Sequence, residues 1–168
     1  MVVLLPPSVD LRSAWLEAHA EWGPGHHEDG FGLLETDDIR TPDGFRAFVG
    51  RLIAAESTPG ARGGTYRWIA EDGEILGGIA LRHENARDVD VLGHIGFGLR
   101  PSARGRGIAA SALMDMLSVA KAVGMNRVLL ACFVDNLASV KTIQHCGGML
   151  DGTVMTDSGE VGRYRIVL

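Results

Sequence analysis

Residues 93–124 read GHIGFGLRPSARGRGIAASALMDMLSVAKAVG, and this stretch decides the fold class. An apolar, strand-like run ends at Leu99, and a proline and a loop containing glycines and arginines then lead into an apolar helical pattern. A strand that enters a glycine-containing loop and then a helix commonly binds phosphate, because loop amides and the helix N-terminus converge on the anion. With Arg100, Arg104 and Arg106 beside those amides, we predict a phosphate-bearing ligand here.

The composition is typical of a soluble globular chain. Its 168 residues are 46% hydrophobic and 22% charged, which predicts one domain over residues 1–168 with a sizeable core. No apolar run approaches the roughly 20 residues of a membrane span, and the start lacks a signal-peptide pattern. We therefore expect a cytoplasmic protein without a membrane partner. Cys132 and Cys146 are too few for a disulfide framework or a metal site, so no metal is expected.

Acidic residues are concentrated in the N-terminal third of the chain. The net charge is −5, and eight acidic residues between Leu11 and Asp43 stand against two arginines. This distribution disfavours nucleic acid as a partner and would suit a cationic small molecule. Taken alone, these residues are better explained as an ordinary solvated surface.

Periodicity predicts a mixed architecture. Helical spacing is found at residues 10–22, 42–53, 108–123 and 138–146. Strand patterns are found at 2–5, 65–70, 75–81, 91–99, 127–133, 149–155 and 161–167, with a hairpin turn at Asp72-Gly73. Hairpins around one β-α-β crossover predict an α/β (α+β) fold. We expect a mixed, mostly antiparallel central sheet with helices on both faces.

This order of elements resembles the GNAT superfamily of N-acetyltransferases. The family's acetyl-CoA signature, Q/R-x-x-G-x-G/A, is similar to Arg104-Gly105-Arg106-Gly107-Ile108-Ala109. A second family feature, Asn three residues before Ala or Ser at a helix start, is similar to Asn136 and Ser139. The run TYRWIAEDGEILGGIALRHE at 65–84 resembles a subgroup of predicted bacterial acetyltransferases.

The resemblance implies that acetyl-CoA is the cosubstrate. Its pyrophosphate would be held by the amides of residues 104–109, and its pantetheine arm would pair with residues 97–99. Gly96 and Gly98 in that strand are expected to favour a local bulge and a close approach. The expected cofactor-binding residues are Phe97, Leu99, Arg100, Arg104, Gly105, Arg106, Gly107, Ile108, Ala109, Asn136 and Ser139.

The reaction implied is direct attack of a primary amine, on a small molecule or a peptide, at the thioester. A base is needed because such amines are protonated near neutral pH. His94 is the titratable residue at the expected position, and a structural histidine bonded to a neighbouring strand is the equal alternative. Ile143 occupies the place of the family's usual tyrosine acid, so Tyr164 and Cys146 are substitute candidates. The expected acceptor-binding residues are His26, His27, Glu28, Trp68 and His83.

Two other classes of protein are alternatives to an N-acetyltransferase. Without the tyrosine, the domain could be a non-catalytic module or sensor that binds acyl-CoA. A different nucleotide-binding α/β protein is disfavoured, because no Lys-Ser/Thr follows the glycines and no G-x-G-x-x-G is present there. Both a monomer and a homodimer are consistent with the sequence.

Overall fold

The structure is a computed structural model that describes residues 1–23, 30–58, 63–83 and 89–168. Its strands are β1 (Val3–Leu5), β2 (Gly64–Glu71), β3 (Glu74–Arg82), β4 (Ile95–Leu99), β5 (Arg127–Phe133), β6 (Met149–Thr156) and β7 (Gly159–Val167). Its helices are α1 (Arg12–Trp22), α2 (Pro42–Glu56), α3 (Val89–Leu92), α4 (Ile108–Ala122) and α5 (Leu137–His145). No helix in these ranges is long and apolar enough to cross a membrane.

The strands form two antiparallel sheets where a single mixed sheet was predicted. The first sheet has the order β1-β2-β3-β4, and the second has the order β5-β7-β6. The two sheets meet where Gly93 bridges Leu130 and the His94 N–H donates to the Leu129 carbonyl at 2.6 Å. Beyond this point the described parts of β4 and β5 share no ladder, so the sheets diverge and leave a cleft between them.

Helices cover both faces of the first sheet, as the sequence predicts. On one face, the fully buried Trp15 of α1 and Phe45 of α2 pack against Trp68 of β2, each with ring centroids 6.2 Å apart. On the other face, the α4 residues Leu113 and Met116 are fully buried in a second core cluster. The fold class is therefore confirmed as α+β.

Local sequence signals place several helix ends correctly. Thr41 caps α2, because its hydroxyl accepts a hydrogen bond from the Gly44 N–H at 3.1 Å and Pro42 occupies the first helical position. Asn136 caps α5 by accepting from the Ser139 N–H at 3.2 Å. Gly124 follows α4 with a φ of +90°, a conformation in which glycine is not strained.

The predicted strand over residues 91–99 is wrong in its first half. Residues Val89–Leu92 form α3, and β4 begins only at Ile95. Gly93 makes the turn with a φ of +75°, and a Cβ added there would lie 2.7 Å from the Leu129 carbonyl oxygen. The apolar pattern could not show this contact, because it is made with a strand more than thirty residues further along the chain.

The bulge expected at Gly96 and Gly98 is also absent. Pairing between β3 and β4 runs without a shift from Leu81–Ile95 to Gly77–Leu99. The glycines instead permit a close approach of the backbones, since a Cβ on Gly77 would lie 2.0 Å from the Gly98 carbonyl oxygen. The irregularity in this sheet lies between Ile69 and Ala70 of β2.

Candidate active site

A cleft of about 900 Å³ lies between the diverging strands β4 and β5. Its walls come from all of β4, the loop before α4, the start of α4, the second half of β5 and residues of α5. This volume suits a drug-sized or cofactor-sized ligand, since such sites commonly occupy a few hundred to a thousand Å³. The sequence-predicted residues that line it are Phe97, Leu99, Arg104, Gly105, Gly107, Ile108, Ala109, Asn136 and Ser139.

The loop before α4 presents unpaired amides to this cleft. Gly105 and Gly107 have φ values of +73° and +75°, which L-residues with a side chain rarely adopt. Ser111 is the first residue of α4 whose N–H bonds back along the helix, to the Gly107 carbonyl at 3.1 Å. Within the described chain, the N–H groups of residues 105–110 have no backbone acceptor. They are therefore available to an anion, and the helix dipole favours negative charge at this point.

The three arginines of the motif are not all at the cleft. Arg104 lines it, and its Nε donates to the Leu99 carbonyl at 2.9 Å. Arg106 is half-exposed and pairs with Glu71 of β2. Arg100 is 11% exposed and pairs with two glutamates of α1. Carboxylates from other elements engage both guanidinium groups, and the prediction that Arg100 and Arg106 bind the cofactor stays a prediction.

Glu21 joins α1 to the segment that leads from β4 into the loop. Its carboxylate accepts from the Ser102 N–H at 2.6 Å, from the Ser102 hydroxyl at 3.0 Å and from the Arg100 guanidinium. The Ser102 backbone N–H, followed by the Arg100 guanidinium and the Ser102 hydroxyl, holds the pKa of Glu21 below its usual value. This contact ties the helix that ends at Trp22 to the loop before α4.

Glu21→Gln is expected to lower the melting temperature at pH 7. Because the pKa of Glu21 is lowered by folding, its contribution is present above the unfolded-state pKa and is lost as the pH falls through the folded-state pKa. The difference between variant and wild type should therefore shrink as both are taken to acidic pH. Thermal unfolding of both proteins across a pH series measures this effect. A difference independent of pH would contradict it.

The outer edge of β4 is suited to pairing with an extended ligand. The Arg100 N–H donates to the Leu76 carbonyl of β3 at 2.8 Å, so alternation along the strand turns the backbone groups of Phe97 and Leu99 toward the cleft. The Leu99 carbonyl accepts a hydrogen bond from Arg104, a cleft residue, so this carbonyl also points toward the cleft. No described residue of β5 pairs with Phe97, so its N–H and C=O are free to bind a ligand amide.

The His94 imidazole is hydrogen-bonded to the neighbouring strand β5. The His94 side chain is 8% exposed, and its Nδ1 accepts a hydrogen bond from the Leu129 N–H at 2.9 Å. When neutral, the imidazole then carries its proton on Nε2, and the nitrogen that could accept a proton is already engaged. His94 does not line the cleft. The geometry therefore favours the alternative of a histidine bonded to the neighbouring strand over that of a general base.

The remaining predicted residues are distributed over the fold. Tyr164 is 4% exposed, belongs to the core cluster around α4 and does not line the cleft, and burial raises the pKa of its hydroxyl. Trp68 is buried in the core against α1 and α2, and His83 Nε2 lies 3.1 Å from the Thr65 hydroxyl. Neither Trp68 nor His83 lines the cleft. The predicted acceptor residues His26, His27 and Glu28 lie outside the described residues.

Several cleft residues were missed by the sequence analysis. They include Trp22 at the end of α1, Leu92 at the end of α3, Phe133 at the end of β5, and Cys132, Lys141, Thr142, Thr156, Ser158 and Val161. Ile143, at the place of the usual tyrosine, is 1% exposed and also lines the cleft. Trp22, Leu92 and Phe133 lie at the ends of elements, a position that sequence alone cannot connect to a particular cleft.

The described part of the chain contains no group of three His, Cys, Asp or Glu side chains that could hold a metal ion. The two cysteines are both free thiols. Burial raises the pKa of Cys132, which disfavours the thiolate that metal binding would need.

Residues 35–147 match the Acetyltransferase (GNAT) family. This match covers more than half of the chain, so the chain belongs to the GNAT acetyltransferase family, whose cosubstrate is acetyl-CoA. No curated protein matches the chain at the level of sequence.

Solved structures of acetyltransferases share the whole fold. The microcin C7 self-immunity acetyltransferase MccE, in complex with acetyl-CoA and AMP, is 18% identical with a TM-score of 0.71, covering 99% of this chain and 92% of its own. RimL, a ribosomal α-N-protein acetyltransferase in complex with Coenzyme A, is 18% identical with a TM-score of 0.76 and coverages of 99% and 94%. Mycobacterium smegmatis RimJ with CoA-disulfide is 21% identical, with a TM-score of 0.73 and coverages of 99% and 81%. These similarities establish the likeness of fold.

Proposed function

We propose that this chain transfers the acetyl group of acetyl-CoA to the primary amine of a small molecule or a peptide by direct attack. The observation that carries the proposal is the cleft between β4 and β5, which combines free amides at the start of α4 with a free backbone edge on β4. The first feature suits a diphosphate and the second suits the amides of pantetheine. Acetyl-CoA contains both groups.

Each part of the ligand has residues that would hold it. The pyrophosphate would accept hydrogen bonds from the N–H groups of residues 105–110, with Arg104 beside them. The pantetheine arm would run along Phe97 and Leu99, and the thioester would then lie deeper in the cleft. A β4 N–H directed into the cleft could donate to the carbonyl oxygen as negative charge develops there.

The chemical step forms a carbon–nitrogen bond and breaks a carbon–sulfur bond. The neutral amine attacks the thioester carbonyl, the tetrahedral oxyanion collapses, and the sulfur leaves as the thiolate of CoA. The proton lost by nitrogen passes to the thiolate or to solvent. None of the described cleft residues is a carboxylate or a histidine, so we propose that water carries this proton. An α-amine, with a pKa of about 8, needs less help from a base than a lysine amine at about 10.4.

Release of free thiol from acetyl-CoA tests the function. The protein is incubated with acetyl-CoA and a panel of polyamines, amino-acid amides and N-terminal peptides, and thiol is followed over time. We expect saturable, amine-dependent release, and mass spectrometry should show the acetylated amine. CoA binding is measured separately by calorimetry on the same preparation.

The two measurements separate the enzyme from the binding module. Saturable binding of acetyl-CoA without thiol release from any amine would favour the non-catalytic acyl-CoA-binding module. Ile143 in place of the tyrosine is the observation that motivates this alternative. Absence of CoA binding would contradict both readings. The two free thiols suit a reducing compartment, and we propose a cytoplasmic location on that basis.

A further inference from the structure

The cleft extends onto the face of the sheets that lies opposite α4. Ile95 belongs to the core cluster around α4, so alternation along β4 places Gly96 and Gly98 on the opposite face. On β5, Leu130 packs in the same cluster, so Ala131 also lies on the opposite face. These three small residues line the cleft, and their lack of bulk leaves a recess beside the strand that would hold the thioester.

Large apolar side chains surround Gly96, Gly98 and Ala131. Trp22 ends α1, and its ring meets that of Phe31 edge-on at 5.3 Å, which fixes its orientation. Leu92 at the end of α3 is 47% exposed, and Phe133 at the end of β5 is 41% exposed. Val161 of β7 is paired with Phe133 and lies on the same face. We name this the α1-side recess, formed by Trp22, Leu92, Gly96, Gly98, Ala131, Phe133 and Val161.

The described residues that line the α1-side recess carry no charged side chain. The charged side chains among the described lining residues of the whole cleft are Arg104 and Lys141, both positive. Arg104 lies beside the proposed pyrophosphate site and Lys141 lies on α5, so neither belongs to the α1-side recess. The described cleft lining also includes the hydroxyl-bearing Thr156 and Ser158 at the hairpin between β6 and β7. The α1-side recess itself is therefore apolar.

We propose that the α1-side recess binds an apolar side chain, aromatic by preference, carried next to the acceptor amine. This rests on the proposed function, because the recess is read as the acceptor subsite of that reaction. The cofactor would contact the α4 and α5 side of the cleft, so the acceptor must approach from the other face. Leu92 and Phe133 are partly exposed to solvent, and an apolar acceptor side chain bound beside the reacting group would cover them.

Amino-acid amides test this specificity, because they share one α-amine and differ only in the side chain. Acetylation of phenylalaninamide, leucinamide, glycinamide and lysinamide is compared by kcat/KM. We expect phenylalaninamide to exceed glycinamide and lysinamide by about tenfold or more, in line with the discrimination that an apolar pocket achieves. Binding of N-acetyl-phenylalaninamide to the CoA-loaded protein, measured by calorimetry, reports on the recess independently of turnover.

Matched variants test whether the α1-side recess causes the preference for phenylalaninamide. Leu92→Ala should lower kcat/KM for phenylalaninamide by about three- to tenfold and change glycinamide little. Leu34→Ala is the control, because Leu34 is 51% exposed and does not line the cleft. Ala131→Leu fills the recess and should remove the preference for phenylalaninamide. The KM for acetyl-CoA should stay within about twofold in Leu92→Ala, since that contact lies on the acceptor side.

The outcomes distinguish this inference from the function on which it rests. Equal rates with all four amides, or a preference for lysinamide, would overturn the inference and leave acetyl transfer intact. Binding of N-acetyl-phenylalaninamide that is lost in Ala131→Leu would support the recess even if none of the amides were acetylated. A Leu92→Ala effect equal to that of Leu34→Ala would also overturn it.

Discussion

Replacing Gly107 by glutamate is expected to abolish binding of CoA at micromolar concentrations. Gly107 is the N-terminal cap of α4, and the space beside its Cα is open, so a side chain there would project into the mouth of the cleft. A carboxylate about 5 Å from the pyrophosphate would cost about 3 kcal/mol at a surface-like dielectric, which is about a hundredfold in affinity. Calorimetric titration with CoA measures the change.

Two control variants separate charge from backbone strain. Gly107→Gln has the same bulk and the same strain at a φ of +75° but lacks the charge, so its loss of affinity should be much smaller. Gly124→Glu places the same charge on another open, left-handed glycine, at the far end of α4, and should leave CoA binding unchanged. Tight binding of CoA by Gly107→Glu would remove the anion-binding loop from the proposed site.

Among glycine-to-alanine substitutions in the first sheet, Gly77→Ala is expected to lower the stability of the protein most. The added Cβ would lie 2.0 Å from the Gly98 carbonyl oxygen, and this neighbour is backbone that cannot rotate away. Forcing β3 and β4 apart should cost about 3 kcal/mol. For a chain of this size, that corresponds to a fall of about 6–12 °C in melting temperature. Because β4 forms one wall of the cleft, CoA affinity should fall as well.

Gly50→Ala is the matched control for this substitution. Gly50 lies on α2, is exposed, and has no atom within 4 Å of an added Cβ. The same change there should raise stability by about 0.5–1 kcal/mol, because alanine is the better helix former. Thermal or denaturant unfolding of both variants gives the comparison. If both variants shifted stability in the same direction, the close approach of β3 and β4 would be contradicted.

The glycine-containing loop before α4 could be predicted because it is local. Residues 99–109 contain the strand end, the glycines and the helix start within a dozen positions, and backbone geometry alone brings their amides together. Gly105 and Gly107 have the left-handed φ values that the loop needs, which is why these positions stand out in the sequence. The Asn136 cap of α5 is equally local, since donor and acceptor are three residues apart.

The roles of the arginines and of His94 could not be predicted, because their partners are distant in sequence. Arg100 pairs with Glu17 and Glu21, about eighty positions earlier, and Arg106 pairs with Glu71. His94 accepts from the Leu129 N–H, 35 positions later. A motif shows which charges are present, but the partner that engages each charge depends on how the elements pack.

By itself, the sequence determined the element types, most of their ends, and the glycine loop with its family signature. The element types follow from side-chain periodicity. The element ends and the glycine loop follow from backbone conformations that depend on residues nearby in the sequence. The tertiary structure alone decided the division into two sheets, the cleft between β4 and β5, and the α1-side recess. Each of these depends on which strand edges pair and which stay free, and that choice is made by packing between residues far apart in the chain.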